Sequence, residues 1–192
     1  MSLNFSNKCL ETLKQKNIDG EMIRNWVKKT TDDYFNQKTN KEVMNWSDFQ
    51  SILDGEFWNY YLAREESITN INTLVVNELR KDKNLKIGLV DFGPLYPLGP
   101  NNQRWQNGVN LNSLLPLIDE IHPTFYFADL DLIKEKYDVY KKVLNNKVEM
   151  IPAMRTILPQ VSNQLDLNNQ LQVFNKDASG FGFYNYSCLL YT

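Results

Sequence analysis

The sequence predicts an α/β protein in which parallel βα units follow a helical segment. Three observations predict it. Residues 1–82 place their apolar side chains at helical spacing, with no run that alternates as a strand does. From residue 85 onward, four short apolar runs appear, at 86–92, 124–129, 148–153 and 180–186. Helical stretches separate these runs, and strands joined through helices lie parallel, with right-handed crossovers. The chain reads as a single domain, 1–192, with 1–82 helical and 83–192 carrying the four strands.

In the helical part, residues 7–16 carry Leu10 and Leu13 on one face. Asp19 is placed to cap a second helix, in which Met22, Ile23, Trp26 and Val27 fall at helical spacing. Ser47-Asp48-Phe49-Gln50 has the form of a capping box. Behind it, Ile52, Leu53, Phe57, Tyr60, Tyr61, Ile68, Ile71, Leu74, Val75 and Leu79 keep one period, so one long helix is expected over 47–81. Gly55 is its weak point.

The run Lys86-Ile-Gly-Leu-Val-Asp-Phe92 is continuous enough for a parallel strand covered on both faces. A Gly-, Pro- and Asn-rich loop over 93–108 is long enough to suggest function. A helix is expected over 112–121, where Pro116 is tolerable near the first turn. The second strand, 124–129, leads to a helix over 132–144 with Ile133, Tyr137, Tyr140 and Leu144 on its apolar face. The third strand, 148–153, is followed by a loop and a helix over 166–177. Gly180 to Tyr186 is the fourth, favoured by its aromatics. A repeat of about 25–35 residues matches the (βα)8 barrel, whose eight units need ~250 residues, so this chain holds half of one. A small open doubly wound sheet is the other arrangement, and the helical first third fits it poorly.

Apolar residues make up 42% of the chain and charged ones 23%, the balance of a folded domain. With 21 basic and 23 acidic residues, the formal charge of −2 leaves no footprint for nucleic acid or an anionic membrane, and neither partner is expected. No apolar run reaches the length of a span. The N-terminus lacks a basic and an apolar region, so no signal peptide is expected and the default location is cytoplasmic. Cys9 and Cys188 have no CxxC partner, and two buried thiols are expected in preference to a disulfide. A single histidine, His122, excludes His-based triads and His-rich metal sites, and no cofactor is expected. The 93–108 loop has neither GxGxxG nor GKS/T.

Three stretches resemble the C-terminal part of glycosidase-like TIM-barrel proteins related to glycoside hydrolases: "NLNSLLPLIDEIHPTFYF" from Asn110, "VEMIPAMRTILP" from Val148, and "GFGFYNYSCL" from Gly180. The opening, with Cys9 and Ile18-Asp19-Gly20, is similar to the helix after strand four of such proteins. The resemblance implies the second half of a TIM-type (βα)8 barrel, strands five to eight. It also implies a role in carbohydrate binding or glycoside hydrolysis, or a non-enzymatic half-barrel with a structural or interaction role. Strands five and eight would carry open edges, to be covered by a second copy in a homo-oligomer or by an N-terminal half-barrel. Retaining glycosidases of this kind use acids ending strands four and seven. Strand seven ends here in Met154-Arg155, and Glu149 lies near its start, which departs from that pattern.

Barrel function lies at the C-terminal ends of the strands. The residues expected there are Asp91, Tyr126, Asp129, Asp131, Met154, Arg155, Tyr184 and Asn185. Asp91 is a candidate catalytic carboxylate or an anchor for the loop behind it. Asp129 is a second candidate, although Asp129 or Asp131 also suits the cap of the next helix. Arg155 offers a planar fork for a carboxylate, phosphate or sugar hydroxyl, or pairs with Asp91 or Asp129. Tyr126 and Tyr184 suit stacking on a sugar face, or a place in the core with satisfied hydroxyls, and Asn185 suits hydroxyls. Gln103, Arg104 and Trp105 suit a lid or sugar platform, or ordinary loop packing.

Overall fold

The computed structural model describes residues 5–36, 50–92, 108–156, 160–174 and 178–184, and the described chain separates into two compact units, one up to residue 70 together with 108–109 and one of 71–92 together with 110–184. The first is helical. Helix α1, Asn7–Gln15, starts at Ser6, whose hydroxyl accepts from the Cys9 N–H at 3.4 Å. Helix α2, Gly20–Phe35, starts at Asp19, whose carboxylate accepts from the Met22 N–H at 2.9 Å. Gly20 lets the two meet closely, since a Cβ there would lie 2.8 Å from Leu10 Cδ2 and 2.9 Å from Leu13 Cδ1 and both side chains would have to shift.

The long helix expected over 47–81 is broken. A 3-10 turn, Ile52–Gly55, precedes helix α3, Glu56–Leu79. Residues 53, 54 and 55 all have positive φ, at 51°, 52° and 93°, so the chain cannot run through as one helix. Residues 47–49 lie outside the described residues. Ile52, Phe57, Tyr60, Tyr61 and Ala63 close over Leu13, Ile18 and Ile23 to form the core of this unit, with Trp26 tilted against Phe57 at 4.9 Å. Gly55 has open space around its missing Cβ, so only its backbone angle restricts the position. Gly55→Ala is expected to cost about 1–2 kcal/mol, read as a lowered denaturant midpoint.

The second unit is a parallel α/β arrangement. Its elements after α3 are β1 (Gly88–Asp91), α4 (Leu111–Leu114) with a 3-10 turn at Leu115–Leu117, β2 (Glu120–Phe125), α5 (Leu130–Leu144), β3 (Glu149–Met150), β4 (Ala153–Arg155), α6 (Gln164–Phe174) and β5 (Gly182–Tyr184). The sheet runs β1-β2-β4-β5 with β3 also on β2, and all pairs are parallel. Strand order therefore follows chain order, with no reversal. Among the described residues, β1 and β5 each have one neighbour.

Several expected boundaries shift, and β2 ends at Phe125 instead of 129. The helix over 112–121 shrinks to one turn and a 3-10 tail containing Pro116, and β2 begins at Glu120 instead of 124. His122 consequently stands within the strand, opposite Val90, and not at its base. The third strand divides into β3 and β4, which share one register against β2: Ile121 faces Met150 and Thr124 faces Ala153. Between those pairs Pro123 lies across from Pro152. The Ile151 N–H donates to the Ile121 carbonyl at 2.9 Å, but Pro123 has no N–H to return to the Ile151 carbonyl, so the ladder skips there.

Helices α5 and α6 cover one face of the sheet. Phe125 from β2 meets Tyr137 and Tyr140 of α5 at 6.0 Å each and Phe174 of α6 at 5.1 Å. Ile121, Ile133 and Met154 are fully buried in the same layer. On the opposite face, Val90 is 58% exposed and Phe92, just past β1, is 47% exposed. In α3 the apolar stripe divides: Phe57, Tyr60 and Tyr61 are buried, while Ile71, Leu74, Val75 and Leu79 are exposed. Among the described residues, no helix is long and apolar enough to cross a membrane.

Candidate functional site

Alternation along parallel strands sorts the candidate residues between the two faces. Asp91 ends β1 on the helix-covered side. It is buried and accepts a hydrogen bond from the hydroxyl of Tyr140, itself fully buried on α5. Arg155 ends β4 on the other face, since its neighbour Met154 is the one packed in the helix layer. The structure therefore does not bring Asp91 and Arg155 together.

Asp129 lies four residues beyond the end of β2, because the strand starts earlier than its sequence suggests. Its carboxylate accepts from the N–H groups of Asp131 at 2.9 Å and Leu132 at 3.1 Å, capping α5. Asp131 is exposed in the first turn of that helix. Tyr126 directly follows β2 and is half-buried. Its carbonyl accepts from Gln160 Nε2 at 3.5 Å. Gln170, buried on α6, donates to the carbonyls of Phe127 at 3.1 Å and Gln160 at 2.8 Å, which ties the segment after β2 to the segment after β4. Trp105, Asn185 and Cys188 lie outside the described residues.

Arg155 is half-buried and stands in register with Tyr184 of β5. Its Nε is buried with no hydrogen-bond partner, and among the described residues it forms no ion pair. One row below, Thr124, Ala153 and Gly182 lie side by side across three strands on the same face. Thr124 is fully buried, and its hydroxyl likewise has no partner. Lower still, His122 Nε2 meets Glu120 Oε1 at 3.0 Å, beside Gly88. The face thus grades from an acid–imidazole pair, through a row of small side chains, to a guanidinium at the strand ends.

The opposite ends of the strands carry ion pairs, Arg80–Asp119 at 2.8 Å and Lys86–Glu149 at 2.9 Å. The Arg80 guanidinium holds the Asp119 carboxyl below its ordinary range, helped by the Ile87 N–H. Glu149 has its partner there, at the end of the sheet away from Arg155.

In the helical unit, Cys9 is a free, half-buried thiol, and burial raises its pKa. It lines a cleft of about 250 Å³ with Leu13, Lys16, Tyr60, Ala63 and Arg64. Among the described residues, no group of three or more His, Cys, Asp or Glu side chains is placed to hold a metal ion.

The sequence places Arg155 just past the expected strand 148–153, and in the structure it is the last residue of β4. Sequence reasoning did not single out Thr124, which its strand boundaries made a first residue, nor Gln160 and Gln170. A buried amide that laces two loops has no sequence signature. No protein-family model, curated protein or solved structure matches the chain.

Proposed function

We propose that this chain is half of a (βα)8-type barrel, acting as an interaction module that is completed by a second copy of itself. The observation that carries this reading is the sheet. Its parallel strands follow chain order, helices α5 and α6 lie on one face, and among the described residues an edge is left at each end. A doubly wound sheet reverses its strand order at a switch point, and no reversal occurs among the described strands. Parallel sheets are ordinarily covered on both faces, yet Val90 and Phe92 are exposed on the face opposite α5 and α6. Counting β3 and β4 as one interrupted strand, each copy contributes four strands, and closure of an eight-stranded barrel takes two copies.

Light scattering across a concentration series is expected to give twice the chain mass at micromolar concentration. A single-chain mass persisting to about 1 mM would sink the proposal.

A second reading, that the strand ends bind a carbohydrate-type ligand, is favoured by Arg155, whose Nε is buried without a partner at the expected rim. Glycoside hydrolysis by this chain is not favoured. It needs two carboxylates flanking the bond, and Asp91 is committed to Tyr140 while Asp129 caps a helix. Titration with neutral and acidic monosaccharides checks the binding reading.

A further inference from the structure

We infer that the sheet face opposite α5 and α6 holds a site for a small oxyanion-bearing ligand, a carboxylate or a phosphate, bound between Arg155 and Thr124 over a floor made by Ala153 and Gly182. The inference deepens the reading of Arg155 as a ligand contact and rests on it.

Space comes first. In a twisted parallel sheet, side chains on one face form rows across the strands, and row height follows residue size. The row Thr124–Ala153–Gly182 is low in all three positions. A Cβ built on Gly182 would find its nearest atoms, on Ala153, at 3.7 Å, so there is room over Gly182 for at least a methyl group. Ala153 and Gly182 both retain exposure, so solvent reaches the floor. The next row rises to Arg155, in register with Tyr184. A low row bounded by a guanidinium makes a notch.

Chemistry comes second. Two polar groups on this face are desolvated without compensation: the Nε–H of Arg155 and the hydroxyl of Thr124, which is fully buried. Leaving such a group unpaired costs free energy, more for a charged one, so an arrangement with two of them is stabilised by whatever satisfies both. Both can donate, and the guanidinium cannot accept. Among the described residues, the strand carboxylates on the face are Glu120 and Glu149, toward the far end of the strands. Glu120 is paired with His122 and Glu149 with Lys86. A neutral sugar hydroxyl needs acceptors as well as donors, whereas an oxyanion takes donors alone, and a guanidinium fork matches it in two bonds.

The test uses the full chain and three probes: inorganic phosphate, galacturonate and galactose. Amide chemical shifts of Ala153 and Gly182 are expected to move on titration with millimolar phosphate or galacturonate and to stay fixed with galactose. Arg155→Lys should weaken that binding about tenfold or more, because a point charge replaces a fork. Thr124→Val, nearly isosteric, should weaken it about threefold to tenfold. Circular dichroism of each variant reports whether it folds, and titration of the unaltered protein decides the question if either does not.

Galacturonate bound and phosphate not bound would identify a carboxylate site and support both readings. Phosphate bound without either sugar supports the oxyanion site while overturning the carbohydrate reading. Galactose bound as well as galacturonate overturns the oxyanion site and leaves the carbohydrate reading standing. No shift at Ala153 and Gly182 with any probe, or equal binding by Arg155→Lys, overturns the site outright.

Discussion

Phe125→Ala is expected to destabilise the α/β unit by about 3–5 kcal/mol, the largest effect of any single substitution considered for this chain. Phe125 is fully buried at the end of β2, and its ring touches Tyr137, Tyr140 and Phe174, which come from both covering helices. Truncation removes the ring's burial and leaves a cavity walled by three aromatics that cannot all collapse into it. Phe125→Leu keeps most of the volume and should lose about 1–1.5 kcal/mol. Urea titration followed by aromatic fluorescence or far-UV signal measures both. Equal losses for the two variants would mean that the layer repacks freely, contrary to the interlocked rings.

The second large effect concerns Asp91 and Tyr140. Tyr140→Phe should cost about 1–3 kcal/mol, because it removes the hydroxyl that donates to a carboxylate buried to 3% exposure. Asp91→Ala should cost a similar amount, by removing the acceptor facing a fully buried Tyr140. The double variant should cost clearly less than the sum, since each single change harms the group left behind, and the cycle isolates the coupling. Additive losses would show that the contact contributes little. The same experiment bears on catalysis. A carboxylate whose removal is felt mainly as instability, and which points away from Arg155, is an anchor between strand and helix.

The sequence made the strands legible as apolar runs and the parallel order legible as their alternation with helices. It did so because burial on a sheet needs little more than apolar residues in a short stretch. Boundaries were lost where proline and positive φ intervene. Pro123 reads as a strand breaker, yet β2 runs through it, because the missing N–H falls where β3 gives way to β4. The turn at residues 53–55 interrupts an apolar period that looks continuous, because φ leaves no mark on Leu53 or Asp54 as residue types.

The division of the site between two faces was hidden for a simpler reason. Strand parity is set by where a strand begins, and a shift of one position exchanges inside for outside. Asp91 and Arg155 both end strands, which spacing reveals. That they look in opposite directions is a fact of register alone. Asp129 was open to either role, and its distance from β2 decides for the cap.

The facing prolines have a mechanical consequence. A parallel sheet resists bending across its strands through an unbroken series of hydrogen bonds, and here one bond is left out mid-span between β2 and its neighbour. The omission forgoes about 1 kcal/mol of pairing locally and leaves the ends paired. The ion-paired ends of the strands lie on one side of it, and the row that carries Arg155 lies on the other.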